Sequence, residues 1–184
     1  AVLDDDSCTG SSACITPSTL VSQTVEGASL AGRTITDNTI DWTSDKGWRV
    51  ALSSLFGVSE RVVGRPALSG SLIVFNTIIP ESGRCNSGGE TFTFVLDRNN
   101  GGAFDSPTLD YNADGRVDKN DKKDGKVVVA MQPEPPSGSS KDPAPDLVIL
   151  VSGDGLNKCI NVAGQCMDLD VGSRAGRVRW RQLK

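Results

Sequence analysis

Short apolar runs rich in β-branched residues, each bounded by glycine, asparagine or serine, recur along the sequence and constrain its fold more than any other feature. Their alternation of apolar and polar residues is typical of strands. It predicts strands at residues 48–52, 60–63, 72–79, 91–96, 126–131, 147–151 and 177–180, with weaker candidates at 22–25 and 33–35. Residues 19–27 also fit one or two helical turns, but no longer run has convincing helical periodicity. The sequence therefore predicts an all-β fold.

The composition agrees with this class and excludes some partners. The 184 residues are 37% hydrophobic and only 5% aromatic, with 20 glycines, which favours short elements joined by many turns. The net charge of −4 offers no basic surface for nucleic acid or an anionic membrane, so we expect neither as a partner. No stretch approaches the roughly 20 continuous apolar residues of a membrane helix, so we expect no membrane span.

Two segments are predicted to lie outside the sheets. Residues 1–40 are polar and rich in serine and threonine, and we interpret them as an irregular N-terminal segment. Residues 132–146 contain repeated prolines, which cannot donate a backbone hydrogen bond to a strand ladder. This second segment is predicted to be a surface loop.

The five cysteines point to an oxidising compartment. Cys8 lies close to Cys14, and Cys159 lies close to Cys166, but neither pair has the spacing of a zinc or thioredoxin-like site. Small disulfide loops are the better interpretation, which places the protein outside the cytosol. Cys85 is left over: a free thiol, a bond to a later cysteine and a bond to a segment absent from this chain all remain open.

The acidic run at residues 110–121 has the ligand spacing of an EF-hand calcium loop. Side-chain oxygens stand at its first, third, fifth, ninth and twelfth positions, a glycine at the sixth supplies the turn, and the seventh offers its backbone carbonyl. These residues are Asp110, Asn112, Asp114, Gly115, Arg116, Asp118 and Asp121. Oxygen ligands at alternate positions suit a hard cation, so the sequence predicts one bound Ca2+.

Two departures from an EF-hand shape this prediction. The twelfth position is Asp121, one methylene shorter than the usual glutamate, and the flanks are predicted strands rather than helices. Calcium would therefore hold a connection between strands, with an expected affinity on the order of 10⁻³ to 10⁻⁶ M. A merely solvated turn is the alternative, but four closely spaced carboxylates repel one another unless a cation neutralises them. Magnesium fits less well because it demands a stricter octahedron.

A more specific pattern of motifs runs from residue 41 to residue 96. Its members are Asp41-Trp42, Lys46-Gly47-Trp48, Glu60-Arg61-Val62-Val63, Arg65-Pro66, Val74-Phe75-Asn76-Thr77-Ile78-Ile79-Pro80, Cys85 and Gly88-Gly89. In this order they resemble the C-terminal domain of the PilC/PilY family of type IV pilus biogenesis factors and tip-associated adhesins. The tail at residues 176–183 also resembles that family's extreme C-terminus. The resemblance covers roughly residues 19–184.

This resemblance implies a modified β-propeller, of which residues 1–184 would supply the last few blades because family C-terminal domains are longer. It implies export to the pilus tip or outer-membrane surface, with the rest of the parent polypeptide, minor pilins and a host or surface receptor as partners. Calcium occupancy would regulate pilus extension against retraction, and hence twitching and adhesion. The ligands carried over are Asp110, Asn112, Asp114, the Arg116 carbonyl and Asp118, whereas Asp121 is added from loop spacing alone.

Two other functions are weighed against this one. The sequence contains no histidine, which removes the usual general base, and acidic pairs are expected by chance among 23 carboxylates, so we expect no enzyme. The alternative is a calcium-stapled structural module of another secreted bacterial surface protein. Such a module would need the acidic loop and the disulfides but not the PilC/PilY-like motifs. The aromatic residues of those motifs are also expected simply to fill a core. Those aromatics are Trp48, Phe75, Phe92, Phe94 and Trp180.

Overall fold

The computed structural model describes residues 15–27, 32–52, 60–80, 89–132, 148–151, 158–162 and 165–169. These residues form one short 3-10 turn, Pro17–Thr19, and twelve strands. The strands are β1 Val21–Glu26, β2 Thr34–Ile35, β3 Trp48–Ala51, β4 Arg61–Ser69, β5 Leu72–Pro80, β6 Gly89–Asp97, β7 Lys122–Lys123, β8 Lys126–Val127, β9 Ala130–Met131, β10 Val148–Val151, β11 Lys158–Val162 and β12 Gln165–Leu169. The predicted all-β class is confirmed. No helix in the described ranges has the length and apolar character needed to cross a bilayer.

The core lies around a four-stranded antiparallel sheet with the order β4-β5-β6-β9. Strand β6 is covered on both faces, because Phe92, Phe94 and Leu96 are fully buried and so is the intervening Val95. Phe75 of β5 stands directly opposite Phe94, and their rings stack with centroids 5.1 Å apart. The predicted strands at 72–79 and 91–96 thus form the centre of the protein.

Strand β4 is longer than the predicted strand at 60–63. The predicted strand ended at residue 63, but pairing with β5 resumes after a register shift between Val63 and Ala67. Gly64 adopts φ +74° within this irregularity. Because β4 is at the edge of its sheet, Pro66 removes no ladder bond that a further strand would need.

The predicted strand at 126–131 is divided between two sheets. Its first part, β8, pairs with β7, and its last part, β9, pairs with β6. Between them the Val129 amide donates to the carbonyl of Arg33 at 2.8 Å, and the Val129 carbonyl accepts from the Val95 amide at 2.8 Å. A continuous apolar run is therefore buried against two different partners.

The N-terminal region departs most from the prediction. The helical turns proposed for 19–27 are wrong, because after the short 3-10 turn the chain forms β1, the centre of a sheet with the order β2-β1-β3. The segment interpreted as irregular thus contains β1 and β2, which confirm the weaker strand candidates at 22–25 and 33–35. Gln23 of β1 is fully buried, and its amide nitrogen donates to the carbonyls of Asn38 and Asn100 at 2.8 and 2.9 Å. Long-range partners, which local patterns do not reveal, hold this segment in place.

The C-terminal region of the described chain is a second antiparallel sheet with the order β10-β11-β12. The predicted strand at 147–151 is observed as β10, whereas the hairpin of β11 and β12 was not predicted. Cys159 stands opposite Asp168 and Cys166 opposite Asn161, so the two cysteines lie on neighbouring strands, offset diagonally. The other cysteines, the loop at 133–146 and the predicted strand at 177–180 with Trp180 lie outside the described residues.

A buried ion pair joins the N-terminal segment to the central sheet. Arg33 and Glu60 both have fully buried side chains, with Nη1 and Oε2 2.6 Å apart. The other carboxylate oxygen of Glu60 accepts a hydrogen bond of 2.5 Å from the hydroxyl of Thr77. The guanidinium carbon of Arg33 lies 3.6 Å from the ring centroid of Phe92. Within the described part of the chain, Nε and Nη2 of Arg33 have no hydrogen-bond partner. The ion pair with Glu60 and the contact with the Phe92 ring therefore compensate for the burial of this charge.

Gly101 provides a test of how tightly the turn after β6 packs on Trp48. The glycine has φ +71°, and an added Cβ would lie 2.2 Å from the indole ring of Trp48. The indole is held in place because Nε1 donates to the Arg98 carbonyl at 2.8 Å. We expect Gly101→Ala to lower the free energy of unfolding by about 2–4 kcal/mol in urea denaturation, from overpacking and positive-φ strain together.

Gly70→Ala is the matched control for this substitution. Gly70 also has positive φ, at +60°, but an added Cβ would meet nothing within 4 Å. Only backbone strain of about 1–2 kcal/mol is therefore expected. Equal losses in the two variants would mean that the contact between residue 101 and Trp48 contributes nothing.

Candidate metal centre

The acidic loop follows a buried residue, and most of the loop itself is exposed. Leu109 precedes it and is 1% exposed, and the hairpin of β7 and β8 follows it. Residues 112–116 are exposed, and Val117 is half-buried. The loop thus connects β-structure on both sides, as the sequence predicted, and no helix flanks it among the described residues.

The first part of the loop is curled by side chains that accept hydrogen bonds from the backbone ahead of them. Asp110 accepts from the amides of Asp114 at 3.2 Å and Gly115 at 2.8 Å. Asn112 Oδ1 accepts from the Asp114 amide at 2.9 Å, and Asp114 Oδ1 accepts from the Arg116 amide at 2.9 Å. Asp and Asn side chains commonly accept such hydrogen bonds from the backbone at turns. Alternate side chains therefore point to the inside of one continuous curl.

The curl needs backbone conformations that its sequence supplies. Gly115 has φ +82°, and an added Cβ would meet no atom within 4 Å, so conformation rather than space favours glycine here. Ala113 also has positive φ, at +59°. Further along, Asp118 Oδ1 accepts from the Asn120 amide at 2.7 Å and begins the next turn.

Asp121 differs from the other acidic residues of the loop because it is fully buried. Its Oδ1 accepts from the amides of Tyr111 at 2.8 Å and Asn112 at 3.1 Å. Its Oδ2 accepts from the amide of Asp118 at 2.7 Å. The carboxylate therefore bonds to the beginning and the end of the loop at once.

Two residues attach the loop to the N-terminal segment, and the sequence did not single out either. The Tyr111 ring lies against Gly32, where an added Cβ would be 2.7 Å from Cε2. Lys123 Nζ donates to the Gly32 carbonyl at 2.9 Å. A glycine that precedes a strand gives no sign of a tyrosine 79 residues later in the sequence, so this contact emerges only from the fold.

The donor chemistry of the loop fits a hard cation. Asp110 is half-buried, and Asn112, Asp114 and Asp118 are exposed, so their oxygens are accessible. Carboxylate and amide oxygens have two lone pairs each, and most of those in the curl accept one N–H. Across the described ranges, however, no three acidic or cysteine side chains converge closely enough to hold a metal ion. The ligand set of Asp110, Asn112, Asp114, Arg116, Asp118 and Asp121 stays a prediction.

Comparison with known proteins finds a similar structure but no similar sequence family. No protein-family model matches the sequence, and no curated protein is significantly similar to it. The crystal structure of the C-terminal domain of PilY1 from Pseudomonas aeruginosa superposes with a TM-score of 0.67 at 18% sequence identity, covering 86% of this chain and 33% of that chain. The chain has the fold of a PilY C-terminal domain. It spans about a third of the length of the PilY1 chain that it matches.

The PilY fold confirms the resemblance that the motifs suggested. The sheet β4-β5-β6-β9 has the four antiparallel strands of a propeller blade. The motif at residues 46–48 leads into β3, where Trp48 is half-buried, while Trp42 is 65% exposed in the preceding turn. In that turn the hydroxyl and amide of Thr43 hydrogen-bond to Asp41 and hold its pKa below the usual value. The motifs at residues 41–42, 46–48, 60–66 and 74–80 thus fill positions in strands and turns of this fold, whereas Cys85 and Gly88 lie outside the described residues.

Proposed function

We propose that this chain is the calcium-binding part of a type IV pilus tip-associated adhesin and biogenesis factor. The observation that carries the proposal is the structural likeness to the PilY1 C-terminal domain over 86% of the chain. The role is support of pilus assembly, control of extension against retraction, twitching motility and adhesion. It is a binding role rather than catalysis, in keeping with a sequence that contains no histidine.

Calcium is the cofactor that the acidic loop suits best. Asp110, Asn112, Asp114 and Asp118 would contribute side-chain oxygens and Arg116 its carbonyl, whereas the place of Asp121 in this set rests on loop spacing alone. The curl, the positive φ of Gly115 and the oxygen-only donor set support this assignment. The ion would neutralise carboxylates that lie close together in the sequence, and so make the connection between the strands on either side firmer.

The location proposed is extracellular, at the pilus tip or the outer-membrane surface. The proposed partners are the remainder of the propeller in the parent polypeptide, minor pilins and a host or surface receptor. The cysteine content supports a compartment in which disulfides persist. The matched PilY1 chain is about three times as long as the part that this chain covers, which supports a larger parent polypeptide.

Titration of the chain with calcium, by calorimetry and by terbium luminescence, tests the metal site. We expect one site, and Asp114→Ala is expected to weaken calcium binding by about 100-fold because it removes a charged ligand near the middle of the loop. Asp105→Ala is the control: Asp105 is an exposed carboxylate outside the loop, so its loss should leave the affinity nearly unchanged. Absence of binding at millimolar calcium, or unaltered binding by the Asp114 variant, would refute the proposal.

A calcium-stapled structural module of another secreted bacterial surface protein is the second candidate. The burial of Phe75, Phe92 and Phe94 favours it, because these motif residues are explained by packing alone. Deletion of the gene separates the two functions. Loss of piliation or twitching supports the pilus role, whereas normal piliation and motility would support the structural module.

A further inference from the structure

Asp121 differs from the other carboxylates of the acidic loop in the burial of its charge. Its side chain is fully buried, whereas Asp114 and Asp118 are exposed and Asp110 is half-buried. Burial of a carboxylate is costly unless hydrogen bonds or charges compensate for it. Here the compensation consists of three backbone N–H groups, from Tyr111, Asn112 and Asp118.

These three bonds close the loop across its mouth. Two of the donors are the second and third residues of the loop and the other is its ninth, so a single carboxylate joins the two ends of the curl. A carboxylate has about four acceptor sites, and three of them are occupied by N–H groups. Hydrogen bonds to an ionised acceptor are roughly twice as strong as neutral ones. Bidentate contact with an ion would compete with this arrangement.

We propose that Asp121 is a positioning residue that holds the loop in its curled form from the inside, with or without calcium, rather than a sixth calcium ligand. This proposal rests on the proposed calcium site, because a preformed loop serves to bind the ion. The three hydrogen bonds to Asp121 themselves require no metal. The proposal assigns different roles to carboxylates that the spacing alone treats alike. Asp110, Asp114 and Asp118 attract the ion, and Asp121 keeps their backbone in shape before the ion arrives.

Replacement by asparagine separates these roles because both Asp121→Asn and Asp114→Asn remove one charge and keep the side-chain shape. The Asp114→Asn variant would retain the single oxygen that accepts the Arg116 amide. At position 121, one of the two accepting oxygens becomes an NH₂ group that faces a backbone N–H. In EDTA, Asp121→Asn is expected to lower Tm by about 4–10 °C. Asp114→Asn is expected to leave Tm unchanged or slightly raised, because repulsion among the exposed carboxylates is relieved.

The experiment measures thermal unfolding of the wild-type chain and both variants in EDTA and in 5 mM calcium chloride, together with amide hydrogen exchange in EDTA. We expect Asp121→Asn to lower Tm in both conditions and to speed exchange at Tyr111 and Asp118, and Asp114→Asn to lose only the increase in Tm that calcium produces. If Asp121→Asn matches wild type in EDTA and loses only the calcium-dependent increase, Asp121 is a ligand and the proposal is overturned. If calcium leaves the wild-type Tm unchanged while Asp121→Asn is still destabilised, the calcium site fails and the role of Asp121 stands.

Asp121→Glu provides a second measurement if the asparagine variant does not fold. Glutamate is the usual residue at the twelfth position of calcium loops, so a ligand at this position should bind calcium at least as tightly after the change. A buried side chain that bonds to three fixed amides should instead tolerate the extra methylene poorly. Lower Tm in EDTA for Asp121→Glu supports the proposal. Unchanged Tm with tighter calcium binding would overturn it.

Discussion

Arg33→Met is expected to lower the free energy of unfolding by about 3–5 kcal/mol, the range for breaking a buried ion pair by removing one partner. Glu60 would keep its bond from Thr77 but lose the guanidinium 2.6 Å away, inside a site with no solvent access. The contact of Arg33 with the Phe92 ring would be lost as well. Urea denaturation followed by tryptophan fluorescence measures the change.

Two further variants show whether the loss comes from the stranded carboxylate. The double variant Arg33→Met/Glu60→Leu removes both charges and is expected to recover most of the stability, because apolar replacements of buried pairs are often neutral. Arg61→Met changes an exposed arginine of β4 and is expected to alter stability by less than about 0.5 kcal/mol. A loss below about 1 kcal/mol for Arg33→Met would contradict the importance given to the ion pair.

Phe94→Ala is expected to lower the free energy of unfolding by about 3–5 kcal/mol, the range for truncating a buried phenylalanine. Phe94 is fully buried at the centre of β6 and stacks on Phe75 of the neighbouring strand. Its removal leaves a cavity between the two strands that make the longest pairing of the sheet. Guanidinium denaturation monitored by circular dichroism measures the effect.

Leu68→Ala is the control for this core substitution. Leu68 lies on β4, the edge strand of the same sheet, and is 64% exposed, so its truncation removes little buried apolar surface. We expect a change of less than about 0.5 kcal/mol. Similar losses in the two variants would show that the stable core lies elsewhere than around β6.

Local sequence patterns predicted the strands that are rich in apolar residues and are therefore buried. Residues 72–79 are mostly apolar, and residues 91–96 combine four large apolar side chains with two threonines; these segments form the buried strands β5 and β6. The hairpin of β11 and β12 was missed because polar residues such as Asn161, Gln165 and Asp168 interrupt its alternation. Short strands of this kind depend on pairing with neighbours, which no local window contains.

Arg33 shows why the sequence indicated the strands of the N-terminal segment only weakly. An arginine in a polar stretch predicts an exposed side chain, because charged residues are almost never fully buried unless they are paired. Its partners are Glu60, 27 residues later, and Phe92 on β6. Burial at this position follows from tertiary contacts, so the sequence offered β1 and β2 only as weak candidates within a segment interpreted as irregular.

The acidic loop was predictable to the extent that its bonds are local. The side chains of Asp110, Asn112 and Asp114 accept from amides two to five residues ahead, and the spacing of the sequence encodes such turns. The inward position of Asp121 follows instead from the way the chain enters β7. Spacing alone treats Asp121 like the other acidic residues of the loop, because it does not reveal the three backbone amides that donate to this carboxylate.

Gly32 and Arg33 are adjacent in the sequence and attach two different regions of the protein, which affects how these regions unfold. Gly32 holds the loop through Tyr111 and Lys123, and Arg33 holds the central sheet through Glu60 and Phe92. Consecutive Cα atoms are about 3.8 Å apart, so there is no slack between these two attachments. We expect the acidic loop, β2 and the adjoining edge of the sheet to open as one cooperative unit. Loss of either attachment would then expose both regions to proteases together.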